Sequence, residues 1–123
     1  MSMLRTRVSW RASTTALTNA AGPPTVDLIQ EVVADVFGLT REELVSPSRT
    51  ARVAWPRQVA MYLAREHTHE TLPAIGRCFG GRNHTTVLHA HRRITTDLAH
   101  DPNTVEAVDA LRARLDDRSA DRA

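Results

Sequence analysis

From Thr25 to Leu115 the apolar residues recur at spacings of three and four and nowhere alternate in a sustained way. That period belongs to helices with one buried face, and no strand signal competes with it. In "TVDLIQEVVADVFG" the apolar stripe is Val26, Ile29, Val33, Val36 and Phe37, with Asp27, Glu31 and Asp35 four apart on the other side. Thr25 is placed to cap this helix and Gly38 to stop it. "LTREELV" follows, and Thr40 with Glu43 has the spacing of a capping box, so a short helix starts there. "SPSRTARVAW" shows no stripe and reads as a loop carrying Arg49 and Arg52. Pro56 suits the first position of a third helix. Val59, Ala60, Leu63 and Ala64 would form its buried face, flanked by Met61 and Tyr62.

The next two elements belong together. A short helix over 72–79, capped by Thr71, runs into Gly80-Gly81, and a second helix spans about 84–99. Two short helices around a tight glycine turn read as a helix-turn-helix. The inward face of the second would be Val87, His91 (or Leu88), Ile94 and Leu98. Thr85, Thr86, His89, Arg92 and Arg93 then point outward near the helix start, where a recognition helix carries its readers. Asp101-Pro102 caps and opens a last helix using Val105, Val108, Leu111 and Leu115. The expected fold is all-α, a compact helical domain of about five to six helices containing the helix-turn-helix. The expected boundaries are a flexible basic leader over 1–24, the domain over 25–117 and a disordered tail over 118–123.

Composition sharpens this picture at three points. Aromatics are only 4% of the 123 residues, so Leu, Val, Ile and Ala must build the core. A single cysteine, Cys78, excludes an internal disulfide and fits a reducing compartment. With no apolar run long enough for a bilayer and no signal-type segment, the expected location is the cytoplasm, at the nucleoid. The net charge is only +2, but it is unevenly spread: residues 49–93 carry eight arginines against Glu66 and Glu70, between two acidic stretches. Such a block suits a nucleic-acid partner, and it also suits an unevenly charged solvated surface. All sixteen basic residues are arginine. A Walker A loop needs a lysine, so this chain holds no such nucleotide site.

The histidines invite a metal or catalytic reading. His84, His89 and His91 lie five and two apart, whereas a shared helical face needs three or four. No CxxC pair accompanies them. Cys78 beside Phe79 reads as a small core residue, His91 as a half-buried histidine with its polar needs met, and His67 and His69 as surface residues at a helix end. No cofactor, metal or enzymatic activity is expected.

The stretch "WPRQVAMYLAREHTHETLPAIGRCFGGRNHTTVLHAHRRI", and "FGGRNHTTVLHA" most specifically, resembles the C-terminal DNA-binding domain (domain IV) of the bacterial replication initiator DnaA. The likeness extends over about residues 26–115. It implies an all-helical domain whose helix-turn-helix binds DnaA boxes, which are short, asymmetric, A·T-rich duplex sites. By that resemblance Asn83, Thr85, Thr86 and His89 fall on base-reading positions in the major groove. Arg49 falls where the family inserts an arginine in the minor groove. Arg57, Gln58, Arg65, His84 and the backbone N–H near Leu72 fall on phosphate-holding positions, and Arg92 and Arg93 of the second helix of the motif are, from their own charge and outward placement, further candidates for holding phosphate.

Two departures stand out. Asn83 replaces a common Asp, exchanging a pure acceptor for an amide that can pair with adenine at N6 and N7. Trp55 replaces a basic or aliphatic residue. The initiator's ATPase module does not lie within this sequence, and Met1 with a leader unlike the family sets the expectation of a stand-alone protein, the alternative being a piece cut from a longer one. The expected partner is double-stranded DNA, with a replication protein as a further candidate and a monomeric state. The expected work is to occupy DnaA-box-like sites and so modulate replication initiation or transcription. The alternatives are an adaptor that binds protein through this fold, with DNA secondary, and a hydrolase or metal enzyme built on the histidines.

Overall fold

The computed structural model describes residues 24–122, with side chains to 120. Among them lie six helices and no strand, in the order α1 (Val26–Phe37), α2 (Arg41–Val45), α3 (Ala51–His67), α4 (Leu72–Cys78), α5 (His84–His100) and α6 (Pro102–Arg122). The all-α expectation holds. The expected leader, apart from Pro24, lies outside the described residues.

Local chemistry sets most of the boundaries. Thr25 Oγ1 accepts from the Leu28 N–H at 3.1 Å. Gly38 closes α1 in the left-handed region at φ 68°. Its N–H and that of Leu39 take the orphan carbonyls of Asp35 and Ala34, so the chain turns sharply toward α2 and buries Leu39. Thr40 and Glu43 form the reciprocal capping box.

α3 is the central helix, packed against α1, α2, α4 and α5, while α6 closes over α1 and α5. Its segment from Val59 to Ala64 is buried all round, Met61 and Tyr62 included, rather than on one face. It begins at Ala51, five residues before the expected Pro56. The Thr50 carbonyl accepts from the N–H groups of Val53 and Ala54, and Val53 and Pro56 are both buried. Pro56 therefore sits inside the helix and leaves the Arg52 carbonyl without its usual partner. Side-chain burial at 53 and 56 offsets one missing hydrogen bond, since a buried Val contributes roughly 1.5–3 kcal/mol and such a bond about 1 kcal/mol. Arg52 is consequently helical and pairs with Glu43 at 3.3 Å.

Other expectations shift with packing. Val36 is exposed, and Phe37 turns inward instead, edge-on to Trp55 at 5.7 Å between ring centroids. In α6 Thr104 and Arg112 are buried and Val105 only half-buried. The Arg112 Nε donates to His67 Nε2 at 3.2 Å, and its NH2 donates to the Tyr62 hydroxyl at 3.4 Å. His67 is thus half-buried against α6 rather than a surface residue, whereas His69 is exposed. His91 stacks on Tyr62 and meets Glu66 at 2.8 Å, which stitches α5 to α3 and agrees with its half-buried reading. The region expected to be a tail is helical to Arg122, and Arg118 pairs with Glu31 at 2.9 Å.

Candidate nucleic-acid interface

The helix-turn-helix forms from α4, the turn and α5. Thr71 Oγ1 accepts from the Ala74 N–H at 3.2 Å. Gly76, buried in α4, lies so close to the turn that a Cβ would meet the Arg82 carbonyl oxygen at 2.1 Å. That approach lets the Gly76 carbonyl accept from both the Phe79 and Arg82 N–H groups. Gly80 and Gly81 take φ of 82° and 74°, a region costly for residues with a Cβ. The buried Gln30 of α1 ties down the end of α4, donating to the Cys78 carbonyl at 2.8 Å. Cys78 itself is exposed, not a core residue. Phe79 takes the inward place instead.

Asn83 then starts α5. Its Oδ1 accepts from the Thr85 N–H and the Thr85 hydroxyl, each at 2.8 Å. Val87, Ala90 and Ile94 face the core, with Leu88, His91 and Leu98 half-buried beside them. Ala90 belongs to the inward face although the apolar stripe of the sequence omits it. His84, Thr85, Thr86, His89, Arg92 and Arg93 are all exposed.

A concavity of about 300 Å³ joins α3 to α5, lined by Arg57, Gln58, Arg82, Thr86, His89 and Arg93 among others. A larger hollow of about 580 Å³, lined by Asp27, Glu70, Arg77 and Cys78 among others, holds none of the expected DNA residues. Among the described residues no three His, Cys, Asp or Glu side chains gather as a metal site.

The family described as the bacterial DnaA protein helix-turn-helix matches residues 26–94, more than half of the chain. The chain belongs to that family. It is a DNA-binding family rather than a catalytic one. The match ends within α5, so α6 lies beyond it.

Within this DnaA-type domain the expected contact residues fall into distinct groups. Asn83, Thr85, Thr86 and His89 share the outer side of the first turns of α5. Arg49 is exposed just before α3, and Arg65 and Arg92 are exposed on their helices; none of the three forms an ion pair with a described residue. Arg93 pairs with Asp97 of its own helix at 3.4 Å. At the start of α4 Thr71 holds the Ala74 N–H and Pro73 has none, which leaves the Leu72 N–H without a partner among the described residues. His84 and Gln58 are exposed and half-buried.

Arg57 differs from its expected place as a surface phosphate ligand. It is 7% exposed. Its Nε donates to the Leu44 carbonyl at 2.9 Å and its NH2 to the Ser48 carbonyl at 2.8 Å. Burial, then the nearby Arg82 guanidinium, lowers its pKa from the ordinary arginine value, and burial lowers that of Arg82. Both keep their charge at neutral pH, because a guanidinium starts so far above it. Arg82 is a residue that sequence reasoning misses: its side chain reaches the carbonyls of Val45, Ser46 and Phe79. The only sequence signal is an arginine directly after two glycines. No rule of spacing points to backbone carbonyls 36 and 37 positions away.

Proposed function

We propose that this domain binds double-stranded, DnaA-box-like sites, with α5 in the major groove and Arg49 in the adjacent minor groove. By occupying such sites it would modulate replication initiation or transcription. The observation that carries the reading is the outer side of α5. Asn83, Thr85, Thr86 and His89 are all exposed at its N-terminal end, beside a concavity edged by Arg57, Arg82 and Arg93. A helix presented in this way fits a major groove, where threonine offers a hydroxyl to a base edge and a methyl group to thymine. Arg65, Arg92 and the N–H of Leu72 at the start of α4 suit phosphates on either side. An A·T-rich minor groove is narrow and strongly negative, which suits the exposed Arg49, without an ion pair among the described residues. Because the sequence has no lysine, no Walker A loop lies within it, and the action proposed for this domain is occupancy of the site.

Selection of bound duplexes from a random pool tests this. The expected result is one enriched asymmetric motif containing an A·T-rich flank. Enrichment without a motif would leave only electrostatic binding. No enrichment at all would overturn the reading in favour of a protein-binding adaptor.

A further inference from the structure

The segment between α2 and α3 has few internal ties: the Ser46 hydroxyl accepts from the Ser48 N–H at 3.4 Å, and the Ser48 hydroxyl meets the Thr50 hydroxyl and N–H at 3.1 and 3.3 Å. What holds it lies elsewhere. The Arg82 NH1 donates to the Val45 carbonyl at 3.1 Å and to the Phe79 carbonyl of the turn, and its NH2 donates to the Ser46 carbonyl at 2.8 Å. From α3, Arg57 takes the carbonyls of Leu44 and Ser48. Two cations thus satisfy the carbonyl end of α2, where the helix dipole favours positive charge. Gly80 completes the seat, since a Cβ there would come within 2.6 Å of the Val45 carbonyl oxygen. Arg49 is the next residue along this clamped segment, and Asn83 is the next residue along the turn.

We propose that Arg82 is a positioning residue: it locks the turn that aims α5 to the segment that carries Arg49, so the protein requires one fixed offset between the two parts of its DNA site. The inference rests on the proposed reading of Arg49 in the minor groove. One base pair of displacement moves the target by about 3.4 Å along the duplex. A segment held by hydrogen bonds near 3 Å cannot follow that distance, and a released segment can. Lysine in place of Arg82 keeps the charge but presents one ammonium nitrogen, which cannot span three carbonyls as the planar fork does.

The test compares two duplexes that differ only in the position of the A·T-rich flank, aligned or displaced by one base pair. Affinities are measured for the unaltered protein, Arg49→Ala and Arg82→Lys, with melting curves for each. The unaltered protein should prefer the aligned duplex by about 5- to 150-fold, the range of one mismatched position. Arg49→Ala should bring that ratio near one. Arg82→Lys should weaken binding to the aligned duplex and shrink the ratio severalfold, because its Arg49 can reach either flank. An unchanged ratio in Arg82→Lys, with the unaltered protein still discriminating, overturns the positioning role alone. A ratio of one in the unaltered protein overturns the minor-groove reading and this inference together. If Arg82→Lys melts early, a glycine inserted between Ser48 and Arg49 carries the test. It lies beyond the clamped carbonyls and should also shrink the ratio, and an unchanged ratio there overturns the fixed offset.

Discussion

Asn83→Asp separates the two duties of the residue that opens α5. The cap uses Oδ1, which accepts from the Thr85 N–H and hydroxyl at 2.8 Å, so the amide Nδ2 is the group left for a ligand. A carboxylate keeps both cap bonds, and Asn and Asp cap equally well. It also adds negative charge at the positive end of α5, worth about 0.3–1 kcal/mol at an exposed terminus. The melting temperature should therefore stay level or rise by a few degrees, since 1 kcal/mol moves a domain of this size by about 4–8 °C. Toward DNA the exchange reverses the chemistry. The paired contact with adenine that the sequence suggests needs the amide oxygen, and the cap already engages it. Nδ2 alone is a donor, matched to a purine N7, guanine O6 or thymine O4, whereas a carboxylate accepts from cytosine N4. The base preferred at that one position should change between the two proteins. A bidentate contact discriminates by about 1–3 kcal/mol, or 5- to 150-fold, and a single donor belongs at the low end. The added charge beside phosphates should also weaken binding to every sequence. Parallel selections from a random duplex pool, with thermal unfolding of both proteins, read all three effects. The same preferred base in both pools would make Asn83 a cap and nothing more, and a fall in melting temperature above about 5 °C would refute the cap argument.

Arg65→Ala should leave stability unchanged and reduce the slope of log affinity against log salt by about 0.9, one phosphate contact. Arg57→Met should instead lower stability by about 2–4 kcal/mol in chemical denaturation, because two charged hydrogen bonds, one buried and one part-buried, are lost. Gly76→Ala places a Cβ 2.1 Å from the Arg82 carbonyl oxygen, a clash with backbone. The expected loss is about 2–4 kcal/mol from overpacking and the broken Arg82–Gly76 bond. Gly81→Ala meets nothing within 4 Å and should cost only the left-handed conformation, about 1–2 kcal/mol; equal losses at the two glycines would contradict the packing argument. Cys78 is exposed, yet partial desolvation and then the carboxylates of Asp27 and Glu70 raise its thiol pKa. Iodoacetamide near neutral pH should therefore alkylate it more slowly in the folded protein than in the unfolded chain, with the rate climbing as pH rises through the raised value.

Features that depend on near neighbours along the chain are legible from residue order alone. Thr25, Thr40 with Glu43, Thr71, Asn83 and Asp101 each cap a helix through atoms two or three residues away, and Gly38, Gly80 and Gly81 end helices through their own backbone freedom. From these and the helical period follow the six elements and the outward face of α5, because local hydrogen bonds and one-sided burial leave a signature in spacing. Tertiary structure decided the rest. Whether Pro56 starts α3 or lies inside it depended on what Val53 could bury against. Whether Val36 or Phe37 faces inward depended on Trp55, eighteen or more residues downstream. Arg57 and Arg82 look like any surface arginines in a basic block, but their partners are carbonyls at the end of α2 and in the segment after it. Every residue carries a carbonyl, so a sequence cannot mark which of them a guanidinium will find; only the folded path of the chain brings them within hydrogen-bond reach.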